Sequence, residues 1–237
     1  MEWLAFITGE GSDLEDLCKS LSSSELSIIK EEQGFVLKSK DFDSLKDAKD
    51  VKSRASEILV LISGAARLAL GMRRPLSVVY IVKVRDDGTR DLFIEVSDTI
   101  TVHAGVTVSV LGADGTIQEV HQVSPIPSWV AVAQRDTDVA KALRLFGAGT
   151  HDWVNLYRIY EVVENDVGSI SNIVKKGWAT RKAIERFKHT ANSPGAIGDE
   201  SRHGKQASKP PKAPMTLSEA KSLVETVLHN WLRMKGE

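Results

Sequence analysis

The polar run at residues 199–203 contains the side chains in this chain best suited to act on a phosphate. An arginine such as Arg202 can bind a phosphate through two parallel hydrogen bonds, and a histidine such as His203 exchanges protons near neutral pH. Metal-independent RNA cleavage requires both abilities, because the 2′-OH proton must be removed and negative charge must be stabilised on the phosphorane. We therefore predict a catalytic site at Arg202 and His203, with Asp199 and Glu200 beside them.

The same residues also have a purely structural interpretation. Asp199 or Glu200 would pair with Arg202, while His203 would cap a helix end or bond a backbone carbonyl. A metal site that combines these residues with His189 is not predicted, because their spacing matches no established ligand pattern. We expect neither a metal ion nor a cofactor.

Six basic residues on two consecutive predicted helices precede the polar run. They are Lys175, Lys176, Arg181, Lys182, Arg186 and Lys188. Residues 171–237 contain 13 Lys and Arg against six Asp and Glu, whereas residues 1–170 contain 18 against 26. A basic third on an acidic body is typical of a polyanion-binding surface, so we predict that these six residues contact RNA. The alternative is a solvated basic face, or one that packs against the acidic half of the chain.

Several established site motifs are missing from the sequence. The chain has no Gly-x-Gly-x-x-Gly, no Gly-Lys-Ser/Thr phosphate loop, no Gly-x-Ser-x-Gly and no His-Glu-x-x-His. Dinucleotide or nucleotide binding of these types, serine-hydrolase activity and metalloprotease activity therefore have no support. Cys18 is the only cysteine, which excludes an intramolecular disulfide and a cysteine-rich zinc site. His103 and His121 fall in predicted strands, where core or surface packing explains them best.

The polar run is flanked by segments with helical periodicity. Apolar residues at steps of three and four predict helices at 138–146, 152–163, 171–176 and 180–191. The last helix opens with a capping box, in which Thr216 accepts from the amide of Glu219 while Glu219 reaches back. Trp153, Tyr157 and Tyr160 recur at helical spacing, which favours core packing over stacking on a base or cofactor.

The loop Arg202-His203-Gly204, together with the helix at 215–231, resembles the HEPN superfamily of small helical domains. The similarity covers about residues 150–235 and includes the stretch 153–164. It implies a helical bundle that dimerises, so that arginines and histidines from two copies form one composite ribonuclease site. It also implies a role in bacterial defence, toxin–antitoxin or RNA-processing systems.

In that superfamily the arginine precedes the histidine by several residues. Here the positions four to six residues before His203 hold Ile197, Gly198 and Asp199, so Arg202 would act from the adjacent position. Two functions therefore stay open. The first is a metal-independent endoribonuclease or toxin effector that the N-terminal domain regulates. The second is a non-catalytic module that dimerises through its helical domain and binds a ligand or partner.

The N-terminal half predicts an antiparallel or mixed sheet covered by one long helix. Strands are expected at 2–8, 26–30, 35–38, 76–84, 92–96, 100–110 and 117–123. Apolar residues at helical spacing predict the long helix over 44–70, whose small residues at 63–66 permit close approach to a sheet. The predicted fold class is α+β. We expect an α+β domain at 1–125, a connecting segment with a short helix at 126–149 and a HEPN-like helical domain at 150–237.

The sequence predicts neither a signal peptide nor a membrane span. The N-terminus has no basic region followed by a long apolar stretch. The most apolar segment, at 58–70, is interrupted by Ser63, Gly64 and Arg67 and is too short to cross a bilayer. We therefore predict a cytoplasmic protein with no membrane association. RNA is the predicted partner, on the basis of the basic residues described above.

Overall fold

A computed structural model of the chain describes residues 1–93, 124–148, 150–205 and 208–236. The chain divides into two compact units, Met1–Pro127 and Ser128–Glu237. The first contains a sheet with helices and the second is helical, which confirms the predicted α+β fold class. The strands expected at 100–110 and 117–123, together with His103 and His121, lie outside the described residues.

Five strands form one antiparallel sheet in the N-terminal unit. They are β1 (Glu2–Thr8), β2 (Leu26–Glu31), β3 (Gly34–Ser39), β4 (Ser77–Val84) and β5 (Arg90–Phe93), in the order β2-β3-β1-β4-β5. Residues Trp3 to Ile7 of the central strand β1 are all buried, so both faces of this strand are covered. Gly34 and Gly88 have φ angles of 136° and 83° in the two hairpin turns, a conformation that favours glycine.

Two helices accompany this sheet, α1 (Gly11–Ser20) and α2 (Ala48–Leu70). Helix α2 packs on β4 and β1, and the buried hydroxyl of Ser63 accepts a 3.0 Å hydrogen bond from the amide of Leu76. The small residues of α2 therefore permit the close approach that the sequence predicted. The helix begins later than residue 44 because residues 40–44 form a separate 3₁₀ turn and Asp47 caps α2 by accepting from the Asp50 amide.

The helical unit is arranged around one central helix. Its elements are α3 (Ile126–Ala133), α4 (Thr137–Ala148), α5 (Trp153–Val167), α6 (Ile170–Lys175), α7 (Arg181–Ala191), α8 (Pro194–Ile197) and α9 (Leu217–Gly236). Helix α5 contacts α4, α6, α7 and α9. Its Trp153, Tyr157 and Tyr160 surround Phe187 of α7, with ring centroids 6.3, 5.7 and 5.6 Å away. The aromatic stripe is therefore part of the core, as its helical spacing indicated.

The segment 126–149, which we expected to connect two domains, forms α3 and α4. Helix α4 packs along α5. Its buried residues include Val139, Leu143 and Phe146. The helical unit thus begins near residue 128 rather than near 150, because the apolar face of α4 is buried against the central helix.

Both ends of α9 are held by specific polar contacts. At its start, the amide of Glu219 donates to the Thr216 hydroxyl at 3.2 Å and the Thr216 amide donates to a Glu219 carboxylate oxygen at 2.8 Å, which confirms the predicted capping box. At its end, the ammonium of Lys235 donates to Asp136 at 2.9 Å and to Asp166 at 2.6 Å. These bonds join α9 to the start of α4 and the end of α5.

Candidate functional site

The polar run lies in the loop between α7 and α9, and hydrogen bonds close the first part of this loop. The amide of Arg202 donates to the carbonyl of Ala191, the last residue of α7, at 2.8 Å. Inside the loop, the carbonyl of buried Ser193 accepts from the amides of Ala196 and Ile197 at 2.9 and 3.2 Å. The chain is thereby returned to the end of α7, which places Arg202 beside α5.

The guanidinium of Arg202 is oriented by two side chains of α5. Its Cζ atom lies 4.4 Å from the centroid of the Tyr157 ring, and its Nη2 donates to Glu161 Oε1 at 3.0 Å. Tyr157 and Glu161 are four residues apart, so they lie on the same face of the helix. The Arg202 side chain is 33% exposed. The ring contact and the ion pair therefore fix the direction of the guanidinium while part of it stays accessible to solvent.

The partner of Arg202 differs from the structural alternative that the sequence suggested. Asp199 and Glu200 are exposed at the 3₁₀ turn Gly198–Glu200, and within the described ranges neither bonds to Arg202. Glu161 takes that place although it lies 41 residues earlier, because the packing of α5 and α7 brings it there. A guanidinium has five N–H donors, and among the described residues Glu161 is its only acceptor. The remaining donors can therefore bind an anion.

His203 is exposed and directly follows Arg202 in the chain. Its carbonyl accepts a 2.7 Å hydrogen bond from the hydroxyl of Ser201, which closes a short turn. Within the part of the chain that the structure describes, no group bonds to its imidazole, so it neither caps a helix nor bonds a carbonyl there. The imidazole can therefore accept a proton from a ligand.

Two buried polar atoms, Asn192 Oδ1 and the Tyr160 hydroxyl, belong to residues near Tyr157, whose ring lies against the Arg202 guanidinium. The Asn192 Nδ2 atom donates to the Tyr157 hydroxyl at 3.3 Å, whereas Asn192 Oδ1 and the Tyr160 hydroxyl have no hydrogen-bond partner among the described residues. Burial raises the pKa of Tyr160, and Glu164 and Tyr157 raise it further. The Tyr160 hydroxyl therefore stays protonated near neutral pH and is excluded as a proton acceptor in this site.

Three of the six residues predicted to contact RNA are engaged within the helical unit. Arg186 bonds both carboxylate oxygens of Glu219, at 3.0 and 3.2 Å. Lys188 bonds both oxygens of Glu164, at 3.2 and 2.9 Å. Arg181 donates to Ser171 at 2.8 Å and lies 3.8 Å from Glu185. These contacts reduce the positive charge that the three residues can offer to a ligand.

The other three predicted residues have a different environment. Lys175, Lys176 and Lys182 are exposed, and none of them pairs with a carboxylate in the described ranges. The ammonium of Lys176 lies 5.5 Å from the centroid of the Trp178 ring, a residue that the sequence had not indicated. The uncompensated positive charge is therefore concentrated around the turn between α6 and α7.

Tyr157, Glu161 and Asn192 belong to the candidate site but were not predicted as site residues. The spacing of four between Tyr157 and Glu161 was visible and places both on one helix face. Nothing local indicates that this face meets Arg202, because the arginine comes from a different element. The supporting residues could therefore be found only after the helices were packed.

Comparisons with protein-family models, with curated proteins and with solved structures gave no match for this chain. In the described ranges, no three His, Cys, Asp or Glu residues are grouped so that they could hold a metal ion. No helix in those ranges is long and apolar enough to cross a bilayer. The site is therefore interpreted from its own geometry, an arginine oriented by α5 and followed in the chain by an exposed histidine.

Proposed function

We propose that the helical unit is a HEPN-like domain that cleaves RNA without a metal ion, with Arg202 binding the phosphate and His203 accepting the proton. The observation that carries the proposal is the orientation of Arg202 by Tyr157 and Glu161, together with the exposure of His203, the next residue in the chain. A guanidinium already held in one direction loses less side-chain freedom when a phosphate binds. We place this activity in the cytoplasm, as a ribonuclease or toxin effector.

In the proposed reaction, His203 removes the proton from a 2′-hydroxyl of the RNA. The 2′-oxygen attacks the adjacent phosphorus, and the bond from that phosphorus to the next 5′-oxygen breaks. Arg202 stabilises the negative charge on the phosphorane oxygens. The products are a 2′,3′-cyclic phosphate and a 5′-hydroxyl, whose proton comes from the imidazolium of a second copy in a homodimer.

The direct test measures cleavage of mixed RNA by the full-length protein in EDTA. We compare wild type with His203→Ala and Arg202→Ala, and we analyse the cut ends for 2′,3′-cyclic phosphate. Each substitution is expected to lower the rate by about 100-fold or more, the scale for losing a general base or a phosphate-binding group. His229→Ala and Arg158→Ala are matched controls, because both residues are exposed in the same unit. These controls are expected to retain wild-type rates.

Two outcomes would overturn the proposal. Cleavage that survives both His203→Ala and Arg202→Ala would show that the activity resides elsewhere. Wild-type protein that binds RNA but leaves it intact under all buffer conditions would exclude cleavage altogether.

A non-catalytic dimerising module is the second candidate, and the Glu161 contact favours it. Glu161 already neutralises Arg202, and the pair joins the loop to α5. In that case Arg202 holds the loop in place for a partner-binding surface. Light scattering after gel filtration would then show a homodimer, and Arg202→Ala would weaken it, while wild type would show no RNA cleavage.

A further inference from the structure

A second surface of the helical unit lies between the start of α7 and the outer face of α9. It is a groove of about 500 Å³ whose floor includes Ala183 and Leu223. Trp178, which lies in the turn before α7, forms one wall. None of the residues placed at the Arg202 site lines this groove, so it is a separate surface.

The α9 wall of the groove carries a row of hydroxyl groups. Ser218, Ser222 and Thr226 are exposed and spaced by four residues, so they lie on one helix face. At 1.5 Å per residue the row extends over roughly 12 Å. The Thr226 hydroxyl donates to the Ser222 carbonyl at 2.8 Å. A row of hydroxyl groups suits a ligand whose polar groups repeat along its length.

Trp178 is the least buried tryptophan of the chain. Trp3, Trp129, Trp153 and Trp231 are at most 7% exposed, whereas Trp178 is half-buried. Gly177, with a φ of 73°, turns the chain immediately before it. A large aromatic ring on a groove wall provides a surface on which another flat ring can stack.

Two lysines without a carboxylate partner among the described residues give positive charge to the edge of the groove near Trp178 and Ala183. Arg181, Arg186 and Lys221 are each paired with a glutamate. Lys176 lies over the Trp178 ring, and Lys182 precedes Ala183 of the groove floor. In the described ranges neither lysine has a carboxylate partner. This edge therefore combines an aromatic ring with positive charge, the two features that bind single-stranded nucleic acid.

We infer that this groove binds a single-stranded segment of RNA, with one base stacked on Trp178 and backbone phosphates at Lys176 and Lys182. The choice of RNA as the ligand rests on the proposed function. A single strand fits better than a duplex because only unpaired bases expose their faces for stacking. The hydroxyl groups of α9 contact the sugar and phosphate groups along the strand. The groove thus binds the substrate, while cleavage occurs at Arg202 and His203.

The test uses the change in intrinsic tryptophan fluorescence on binding, which reports on Trp178 because the other four tryptophans are buried away from a ligand and contribute a constant background. A single-stranded oligouridylate of about eight nucleotides is titrated into the His203→Ala protein, and a duplex of equal length serves as comparison. The single strand is expected to quench the fluorescence and to bind at least about tenfold tighter than the duplex. Measuring binding in His203→Ala protein separates it from cleavage, so either proposal can fail alone.

Variants then locate the contact. Trp178→Ala, followed by fluorescence anisotropy of a labelled strand, is expected to raise Kd about tenfold, the scale of one base–aromatic stack. Because Trp178→Ala could alter the turn, Lys176→Ala/Lys182→Ala provides an independent variant. It should weaken binding and reduce the slope of log Kd against log salt by about 1.4. Lys221→Ala, which removes a paired lysine of α9, is the control and should have a smaller effect.

Three results would overturn the inference. Equal affinity for duplex and single strand would exclude stacking as the basis of recognition. Unchanged affinity in Trp178→Ala and in the double lysine variant would place the RNA elsewhere. A homodimer that becomes monomeric when Trp178 is replaced would show that a second copy of the chain occupies the groove instead.

Discussion

Arg186 and Arg202 each pair with a glutamate in the helical unit, yet their guanidinium groups are engaged to very different degrees. All three nitrogens of Arg186 donate hydrogen bonds. Nε donates to the Ala213 carbonyl at 2.9 Å, Nη1 to Glu219 at 3.0 Å, and Nη2 to the Pro214 carbonyl at 2.9 Å. Arg202 donates to one acceptor in the described ranges, Glu161. Its remaining donors point to no described partner.

Solvent exposure does not separate these two arginines. Their side chains are 35% and 33% exposed. What separates them is the fraction of N–H donors already used, because a guanidinium with all its nitrogens bonded has little left for a phosphate. The comparison indicates that Arg186 holds the chain before α9 in place, whereas Arg202 is kept ready for a ligand.

The largest expected effect comes from replacing Arg202 by lysine, with the same replacement at Arg186 as the comparison. Arg202→Lys keeps the charge but loses the planar guanidinium, which lies over Tyr157 and can bind a phosphate through two parallel hydrogen bonds. The rate of RNA cleavage should therefore fall by roughly 100-fold. Arg186→Lys should leave the cleavage rate within about threefold of wild type, since the nitrogens of Arg186 are already bonded within the helical unit and the residue lies outside the proposed cleavage site. Steady-state rates on one labelled RNA measure both. Equal losses in the two variants would contradict the distinction.

For the free energy of unfolding we expect the reverse order, with the larger loss at Arg186. Arg186→Ala removes two hydrogen bonds to backbone carbonyls and is expected to lower the free energy of unfolding by about 1 kcal/mol, a value reduced because the site is partly exposed. Arg202→Ala should cost less, because it removes one side-chain hydrogen bond and the contact with the Tyr157 ring but, among the described residues, no side-chain bond to the backbone. Urea unfolding monitored by circular dichroism measures the difference. Faster proteolysis between residues 205 and 214 should accompany Arg186→Ala alone.

A smaller effect is expected from neutralising the acid beside Arg202. Glu161→Gln removes the charge that competes with a phosphate, so RNA affinity should rise about threefold, in keeping with a partly exposed ion pair. The measurement is anisotropy of a labelled RNA in the His203→Ala background. Glu185→Gln, which neutralises an exposed glutamate 3.8 Å from Arg181, is the control for the change in net charge. Lower affinity in Glu161→Gln would mean that the orientation of Arg202 outweighs its neutralisation.

The smallest expected effect concerns pH and the carboxylate of Glu219. The backbone amide of Thr216 holds the pKa of this carboxyl below its usual range, with further lowering by Arg186 and by the Thr216 hydroxyl. A lowered pKa means that the stabilisation is present above the unfolded value, near 4.3, and is lost as pH falls through the folded value.

The difference in unfolding free energy between wild type and Glu219→Gln should therefore shrink as the pH is lowered from 6 toward 3. Urea unfolding at a series of pH values measures it. In an Arg186→Ala background the pH-dependent part should be smaller, because one of the groups that lowers the pKa is gone. A difference that stays constant with pH would contradict the assigned cause.

The comparison of the two arginines also shows how far local sequence signals reach. The capping box at Thr216 and Glu219 was predicted and is present, because its partners are three residues apart on one helix. The long helix α2 was predicted too, but its start was placed too early. The prediction began the helix at residue 44, whereas the local bonds of the 3₁₀ turn at 40–44 and the Asp47 cap decide where the helix begins.

Domain limits depended on packing that the sequence does not reveal. The periodicity at 138–146 predicted a helix there, and α4 covers it. Whether such a helix connects two domains or belongs to one of them depends on where its apolar face is buried. Helix α4 packs against α5, so it is part of the helical unit. No local pattern distinguishes these outcomes, because an amphipathic helix has the same periodicity in both.

The sequence by itself determined the α+β fold class, most of the described helices and strands, the capping box, and the residue types at the candidate site. These features depend on periodicity and on contacts between residues a few positions apart. The tertiary structure alone decided which charges are paired. Glu161 meets Arg202 across 41 residues and Glu164 meets Lys188 across 24, and each ion pair requires α5 and α7 to be packed first. The sequence could therefore nominate Arg202, but only the packed helices show that it is oriented and still has donors for a ligand.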